Sequence, residues 1–474
     1  MVGAARAGSR KRDRGNGEPK KLLRLLLRPL CYIRFQAPEA ARGESLSETG
    51  RNPKRGARAT VPEFTFNVPV FGNRWAVGVA FSLHILVVAF IIGTAMVAPV
   101  AELLGMRRGG ERWEKLAHQV SESVEKLFSW GATWAAFALV MIWGLYPRLW
   151  GYLATLFFVQ TIIIAGLLWF VMTVSAYVYY LTWERLRNHK LLHNAFGWTF
   201  VLFTMLFINT IIVWDTYQLT PTGGPTDLLA AAINPSYTAE FPHRHIGNLS
   251  YGPLILAAYV GLWSLLFWGR RRFDDGEWAY HDWLGDVMLL IGLGVILLQP
   301  IAGWFYVNQI FVASPGAWAQ MMVGSSGWKF RMMIGLLGGV IFFGNLYMLL
   351  GMGRGNPRPA VMTWMKISLV LLALDIGLAV LPKDVPLGLM NPWKYIALAV
   401  YMLITIINLV LYFRARRTFT WGRGSRLGWA VLAFIGGLIM ALFVTMGSIR
   451  ETARSPYLIY DQMGPDQAQE LVRP

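Results

Sequence analysis

Residues 75–99 read WAVGVAFSLHILVVAFIIGTAMVAP, 25 consecutive positions without an aspartate, glutamate, lysine or arginine. A helix that crosses ~30 Å of hydrocarbon needs about 20 such residues. The stretch therefore predicts a transmembrane helix. His84 lies near its middle and is its one histidine.

The rest of the chain repeats this pattern. Hydrophobic residues make up 55% of its 474 residues and charged residues 15%, whereas soluble domains carry about 25% charged residues. The composition excludes a soluble domain and a disordered chain. It predicts an all-α fold, a polytopic membrane helix bundle of about ten transmembrane helices. The predicted spans are 75–99, 127–146, 150–182, 194–217, 247–268, 284–306, 330–351, 361–381, 393–413 and 428–447.

The charges of the loops predict the orientation of the bundle. Loops and span ends after odd-numbered helices hold 19 lysines and arginines, against six after even-numbered helices. Basic loops stay in the cytoplasm, so both termini face the outer side. The basic N-terminal segment conflicts with this orientation, but the bias recurs in all nine loops.

The net charge of +18 does not predict nucleic-acid binding, because residues 1–60 alone supply +10 of it. Their basic, leucine-rich run at 20–28 suits an anionic membrane surface or an acidic partner, and a disordered basic tail is the alternative. We divide the chain into a flexible N-terminal extension (1–74), a transmembrane bundle (75–447) and a C-terminal tail (448–474).

Cysteine usage restricts the chemistry of the chain. With Cys31 alone, a disulfide, a covalent c-type haem and a four-cysteine iron–sulfur cluster are all excluded. Any metal site must use histidine, methionine or carboxylate ligands, or a cofactor held without covalent bonds.

Ionisable side chains inside membrane spans are candidates for function because their burial is costly. His84 is a candidate ligand, although a membrane histidine can equally bond to a neighbouring helix. His243 and His245 open the fifth span. Being two residues apart, they point to different sides of a helix, so only one can face a given cofactor. Gly247 and Gly252 would leave flat backbone for a porphyrin ring, and the alternative is a polar helix entry.

The seventh span enters the membrane on the same side as the fifth. It begins Lys329-Phe330-Arg331-Met332-Met333. A thioether and an imidazole at equal depth form a plausible axial pair for a low-spin haem, and Arg331 would suit its propionates. Methionine is also common in apolar spans. Asp375, deep in the eighth span, could relay protons or approach a second haem, and it could equally pair with a neighbouring side chain.

At these residues the chain resembles subunit I of the cytochrome bd quinol oxidases. Residues 183–186 (Trp-Glu-Arg-Leu) are similar to the end of the family's third helix, and residues 330–333 (Phe-Arg-Met-Met) to its Phe-Arg-x-Met. The resemblance implies that His84 binds a haem, that His243 and Met333 ligate the low-spin haem, and that Asp375 replaces a glutamate near the high-spin haem. It runs in order over roughly residues 75–413.

The departures from the family are equally specific. The stretch from Gln160 to Met172 contains no carboxylate, where the family has two glutamates in its third helix. The Gly-Arg-Gln-Pro-Trp motif is absent, the quinol-binding loop is reduced to about residues 307–329, and a tenth span is added. Oxygen reduction and quinol oxidation are the activities that these changes affect.

The resemblance therefore implies a haem-b electron-transfer subunit of a respiratory complex in the bacterial cytoplasmic membrane. It implies one haem b, with room for a second, and a second multi-spanning subunit beside other electron-transfer subunits as partners. Quinol is a candidate donor. Two alternatives remain: a terminal quinol oxidase that reduces oxygen, and a cofactor-free transporter or channel, which the missing inverted repeat disfavours.

Overall fold

The computed structural model describes residues 68–454, except for residues 71, 108, 147–156, 158–162, 221, 223–226, 268–274, 325, 383, 385, 387 and 389–392. The basic extension that the sequence predicts up to residue 74 lies almost entirely outside the described residues. The described part is a helical bundle. Its helices are α1 (Gly72–Ala95), α2 (Val97–Gly105), α3 (Glu111–Leu145), α4 (Ala165–Leu181), α5 (Lys190–Tyr217), α6 (Leu228–Ala232), α7 (Tyr237–Phe267), α8 (Asp275–Ile296), α9 (Gln299–Ala313), α10 (Pro315–Met322), α11 (Gly327–Gly351), α12 (Pro359–Val380), α13 (Trp393–Arg416) and α14 (Arg426–Arg454).

The predicted membrane bundle is confirmed. Within the described residues, nine helical stretches are long and apolar enough to cross a membrane, and α4 is a shorter apolar helix in the third predicted span. The second span is longer than predicted: α3 starts at Glu111, because an amphipathic polar segment continues the helix beyond the apolar run. The sixth span is interrupted between α8 and α9, where Gln299-Pro300 begins a new helix.

Helices also occupy much of the two long outer connections. Residues 307–329 contain the end of α9, all of α10 and the start of α11. In the connection between α5 and α7, three buried polar side chains hold the chain in place. Thr220, Asn234 and Ser236 are each fully buried, and the Thr220 and Ser236 hydroxyls lie 2.6 Å apart. Side-chain hydrogen bonds thus order the described residues of this connection.

The C-terminal helix α14 occupies a central position in the bundle. It packs along both α7 and α11, and also contacts α1 and α10. Its buried face carries Leu432, Ile435, Ile439 and Leu442, which recur at helical spacing. The helix that carries His243 and the helix that carries Met333 are therefore joined through α14.

Two glycines allow α1 and α7 to cross at backbone contact. A Cβ atom added to Gly93 would overlap the Asn248 carbonyl oxygen, and one added to Gly252 would overlap the Gly93 backbone. Small residues permit this kind of close crossing in membranes. The prediction that Gly252 offers a flat bed for a porphyrin ring is wrong, because the α1 backbone fills that space.

We expect Gly93→Leu to destabilise the bundle by about 3 kcal/mol, because the added side chain must separate two packed backbones. Gly78→Leu in the same helix is the matched control, since no atom lies within 4 Å of its added Cβ position. Thermal unfolding in detergent measures both variants. Equal melting temperatures for Gly93→Leu and Gly78→Leu would contradict this close crossing.

A buried ion network ties α8 to α11 and α13. Arg354, at the end of α11, donates to Asp282 at 2.6 Å, and Tyr412 donates to Asp286 at 2.5 Å. Arg416 also donates to Asp286 at 2.6 Å. Both aspartates are almost fully buried. Because arginines neutralise the charges of both aspartates, we assign the two aspartates a structural role in the bundle.

Candidate functional site

His243 lies in the first turns of α7 and faces α9. Its imidazole ring is half-buried, with its centroid 5.3 Å from that of the Tyr306 ring. The Gln299 side-chain amide donates from Nε2, which is 3.0 Å from the His243 carbonyl oxygen and 3.1 Å from each ring nitrogen. The imidazole is therefore held by a neutral amide and an aromatic ring, and no carboxylate is hydrogen-bonded to it.

The surroundings of His243 contain an orphaned polar atom. The Gln299 Oε1 atom is buried and has no hydrogen-bond partner. Gly303 lies beside the His243 ring. A Cβ atom added to Gly303 would be 3.6 Å from the nearest atom of the His243 ring, which is an ordinary van der Waals distance. Buried polar groups are normally satisfied, so this unpaired oxygen beside a histidine with a neutral partner is consistent with a site for an additional group.

Met333 lies on the α11 side of the same region. Met333 and Tyr306 both pack against one buried cluster, formed by Leu219, Ile310, Ala317, Met321 and Ile449. Tyr306 in turn contacts the His243 ring. The cluster contains residues from α9, α10 and α14, so Met333 is related to His243 through Tyr306 and these helices.

Arg331 is half-buried, one turn into α11. Its guanidinium group makes no ion pair with a carboxylate of the described residues, and a Cβ atom on Gly327 would lie 4.0 Å from its Nη1. An unpaired arginine at the outer end of this helix fits a carboxylate-bearing group. An imidazole, a thioether and a cation are the groups that His243, Met333 and Arg331 contribute to this part of the bundle.

A compact ion cluster adjoins His243 on the same helix. Arg244 and Arg450 each pair with both Asp215 and Glu240. Tyr306 donates to Glu240 at 2.8 Å. Glu240 is 1% exposed, and both arginines help to neutralise its charge. Tyr306 therefore links the ion cluster to the histidine ring.

Sequence reasoning missed Arg450, Glu240 and Tyr306 as parts of this site. Arg450 falls in the segment predicted as the C-terminal tail, whereas α14 continues to Arg454. One signal was present: Arg450 follows the last apolar run by less than one helical turn, as membrane-end arginines often do. Nothing in the sequence indicated that α14 ends beside α7.

We expect Arg450→Gln to lower the free energy of unfolding by about 3 kcal/mol, because it removes a cation that pairs with two carboxylates in a largely buried cluster. Arg414→Gln, at an exposed position of α13, is the control and should change stability by less than about 0.5 kcal/mol. Chemical denaturation in detergent gives both values. An effect of Arg450→Gln no larger than that of the control would show that the cluster is solvated.

His245 points away from His243, as the two-residue spacing predicts. Its Nε2 lies 3.4 Å from Asn209 Oδ1 in α5, and its Nδ1 is buried without a partner. The Phe241 ring packs edge-on against it at 4.6 Å. The two histidines therefore face different helices, and only His243 shares a region with Met333.

His84 contacts the neighbouring helix α3. Its Nδ1 lies 3.0 Å from the Gly131 carbonyl oxygen. Because a carbonyl can only accept, Nδ1 carries the hydrogen and Nε2 keeps its lone pair. Metal-binding histidines are commonly oriented in this way. The bond to a neighbouring helix and the predicted role as a ligand are thus compatible.

Asp375 is half-buried in α12 and has no hydrogen-bond or ion-pair partner among the described residues. It interacts electrostatically with Tyr401 of α13. The helix α12 packs against α11 and α13, whereas α1 packs mainly against α3 and α7. The structure does not bring Asp375 into contact with His84.

Comparison with known proteins decides the family. Residues 73–326 match the family described as "Cytochrome bd terminal oxidase subunit I". The chain belongs to the cytochrome bd terminal oxidase subunit I family. The match includes His84 and His243, and it ends before Arg331, Met333 and Asp375.

The fold extends the relation beyond the matched residues. The bd oxidase structure from Geobacillus thermodenitrificans superposes with a TM-score of 0.57 at 12% sequence identity, covering 83% of this chain and 89% of that chain. At this identity the similarity concerns the fold. None of the curated proteins matches the sequence. The chain is thus a multi-pass, bd-oxidase-like membrane subunit, in a family that forms multi-subunit complexes with a second membrane subunit and generally binds haems.

Proposed function

We propose that this subunit is a haem-b electron-transfer component of a respiratory complex, with reduced oxidase and quinol-binding features. The observation that carries the proposal is the region shared by His243 and Met333. The imidazole has only neutral partners, an orphaned amide oxygen lies beside it, and Met333 packs in the cluster that also contacts Tyr306.

In this proposal the protein's residues position and insulate the site. His243 and Met333 would be the residues that hold haem iron, and Arg331 would bind a propionate. Bound haem would supply one-electron redox chemistry. Tyr306 packs on the His243 ring and donates to Glu240, so it would fix the orientation of the imidazole. The apolar side chains around Met333 exclude water.

The departures from the family support electron transfer rather than oxygen reduction. The described part of the third span, from 163 onward, contains no carboxylate before Met172. The connection where the family has its quinol loop is filled by α10 and the ends of α9 and α11. The outer end of α14 covers this region, because Ile449 belongs to the cluster that includes Ile310 and Met321.

Terminal quinol oxidation is the second candidate function. The available Nε2 lone pair of His84 and the unpaired carboxylate of Asp375 favour it, since both would suit a second haem. Their helices do not pack together, so such a haem would have to fill space between them. This makes one haem b the better-supported cofactor content.

The proposal includes partners and location. We propose that the chain lies in a bacterial cytoplasmic membrane, beside a second multi-spanning subunit and further electron-transfer subunits. Exposed apolar side chains on α4 and α12, among them Phe170 and Val370, would face lipid or that subunit.

A reduced-minus-oxidised absorption spectrum of the purified chain tests the function. A sharp low-spin b-type band is the expected result. An additional red-shifted chlorin band would favour the terminal oxidase. No haem signal, after expression with haem supplied, would contradict both and favour a cofactor-free transporter or channel.

A further inference from the structure

One buried histidine–carboxylate pair lies far from the proposed haem site. Glu102, at the end of the first span, is 4% exposed, and His193, at the start of α5, is 2% exposed. The His193 Nδ1 atom lies 2.6 Å from Glu102 Oε1. Its Nε2 atom lies 2.7 Å from the backbone carbonyl oxygen of Tyr179.

These two contacts determine how many protons the pair holds. Nε2 faces a carbonyl oxygen, which only accepts, so Nε2 carries a hydrogen. One further proton must lie between Nδ1 and the Glu102 carboxyl oxygen. Tyr179 donates to Glu102 Oε2 at 3.0 Å and the Asn194 amide donates to the same atom at 2.8 Å. Two donors stabilise the carboxylate, which places the shared proton on His193.

The pair has access to water through a polar cavity. The cavity has a volume of about 160 Å³ and is lined by both members of the pair. A buried water needs only about 15 Å³ of such space and a few polar partners, so several waters fit. Other charged or aromatic groups that face it are Glu114, Trp183, Glu184, Arg187 and Lys190.

The mouth of this cavity carries a positive and a negative side chain that neutralise each other. Lys190 and Glu114 form an ion pair at 2.7 Å, with about a third of each side chain exposed. The loops at this end carry the larger share of lysine and arginine, which places the cavity on the cytoplasmic side. Water can therefore connect the cytoplasm with a pair that lies inside the bundle.

A second buried pair shows what a purely structural pair looks like. Asp282 is bound by Arg354, which retains its proton at any physiological pH. Glu102 is instead bound by a histidine, the side chain that gains and loses a proton near neutral pH. Of these two buried pairs, Glu102–His193 is the one that combines a protonatable cation with a lining position in a polar cavity.

We propose that Glu102 and His193 form a proton-exchange site that loads from the cytoplasmic cavity. In loading, a hydronium ion in the cavity transfers a proton to His193 Nδ1: its O–H bond breaks, the Nδ1–H bond forms and a water molecule remains. Glu102 stays ionised and balances the imidazolium charge. The ligand of this site is the proton, and the site does not depend on the proposed haem.

The test is nuclear magnetic resonance of the full chain in lipid nanodiscs, with ¹⁵N-labelled histidine. His193→Gln identifies the His193 signals. We expect a doubly protonated ring, as the contacts of its two nitrogens require, and exchange of the Nδ1 proton with D₂O. Glu102→Gln should leave a ring with a single proton, which a change in packing alone would not produce.

Blocking the cavity gives a second measurement. Leu186→Trp, at a lining position, should slow exchange of the His193 Nδ1 proton on the order of tenfold, because protons can exchange only through water. Leu191→Trp is the matched control: Leu191 is 74% exposed and does not line the cavity, so its exchange rate should equal that of the unmodified chain.

A His193 Nδ1 proton that does not exchange with D₂O over hours would overturn the proposal, because it would show a structural ion pair like Asp282–Arg354. The exchange measurement on the unmodified chain remains decisive if Glu102→Gln or Leu186→Trp does not fold.

Discussion

We expect His243→Ala and Met333→Ala each to abolish the low-spin b-type band in the reduced-minus-oxidised spectrum. Under the proposed function each substitution removes one of the two side chains that would ligate the iron, and a haem that loses such a ligand changes its spin state or is lost. The two side chains lie in one region, joined through Tyr306 and its cluster. The spectrum of each purified variant, at matched protein concentration, measures the effect.

His245→Ala is the matched control for this experiment. It alters a histidine two residues away that faces Asn209 of α5 instead of α9, so it should weaken the band less than His243→Ala. The reverse order, with His243→Ala silent and His245→Ala without a band, would show that His245 is the ligand. Circular dichroism of each variant separates haem loss from unfolding.

We also expect the isolated chain to show little quinol-dependent oxygen consumption, at least about a hundredfold below a bd oxidase assayed beside it. Oxygen reduction requires a quinol site and a proton supply to a haem with an open coordination position. Positioned proton donors contribute on the order of 10²–10⁴-fold to such steps. Under the proposed function both features are reduced, because the 307–329 connection is short and the stretch from Gln160 to Met172 contains no carboxylate.

This second experiment must use both the isolated chain and its native complex, because partner subunits can supply missing groups. An oxygen electrode with a short-chain quinol measures the rate, and haem content is determined in the same sample. Rapid cyanide-tolerant oxygen uptake by the isolated chain would contradict the prediction and favour the terminal oxidase. A further comparison with His84→Ala would then test whether His84 serves the oxygen-reducing haem.

The proton-exchange site bears on these two results in different ways. It does not contribute to the spectrum of the proposed haem, so His243→Ala should leave the His193 signals unchanged. Its position at the end of the first span also differs from the third-span carboxylates that the chain lacks. A chain that reduces oxygen in spite of that loss would make the Glu102–His193 pair the first residues to examine as a route for protons.

The sequence by itself determined the class of fold and how deep in the membrane the polar residues of each span lie. Apolar runs of membrane length predicted the spans, because a helix is the only open structure that satisfies its own backbone in lipid. Helical spacing alone predicted that His243 and His245 face different neighbours, and the motifs led to the family that the comparison then confirmed.

Only the tertiary structure decided which helices meet. The contacts between Arg450 and Glu240, between Gly93 and Gly252, and between Glu102 and His193 join residues far apart in the chain. In a bundle whose faces are all apolar, hydropathy does not distinguish a lipid-facing side from a packed one. The packing of helix backbones and the pairing of buried charges decide which side of a helix is packed. Both depend on residues that are neighbours in space but far apart in the sequence.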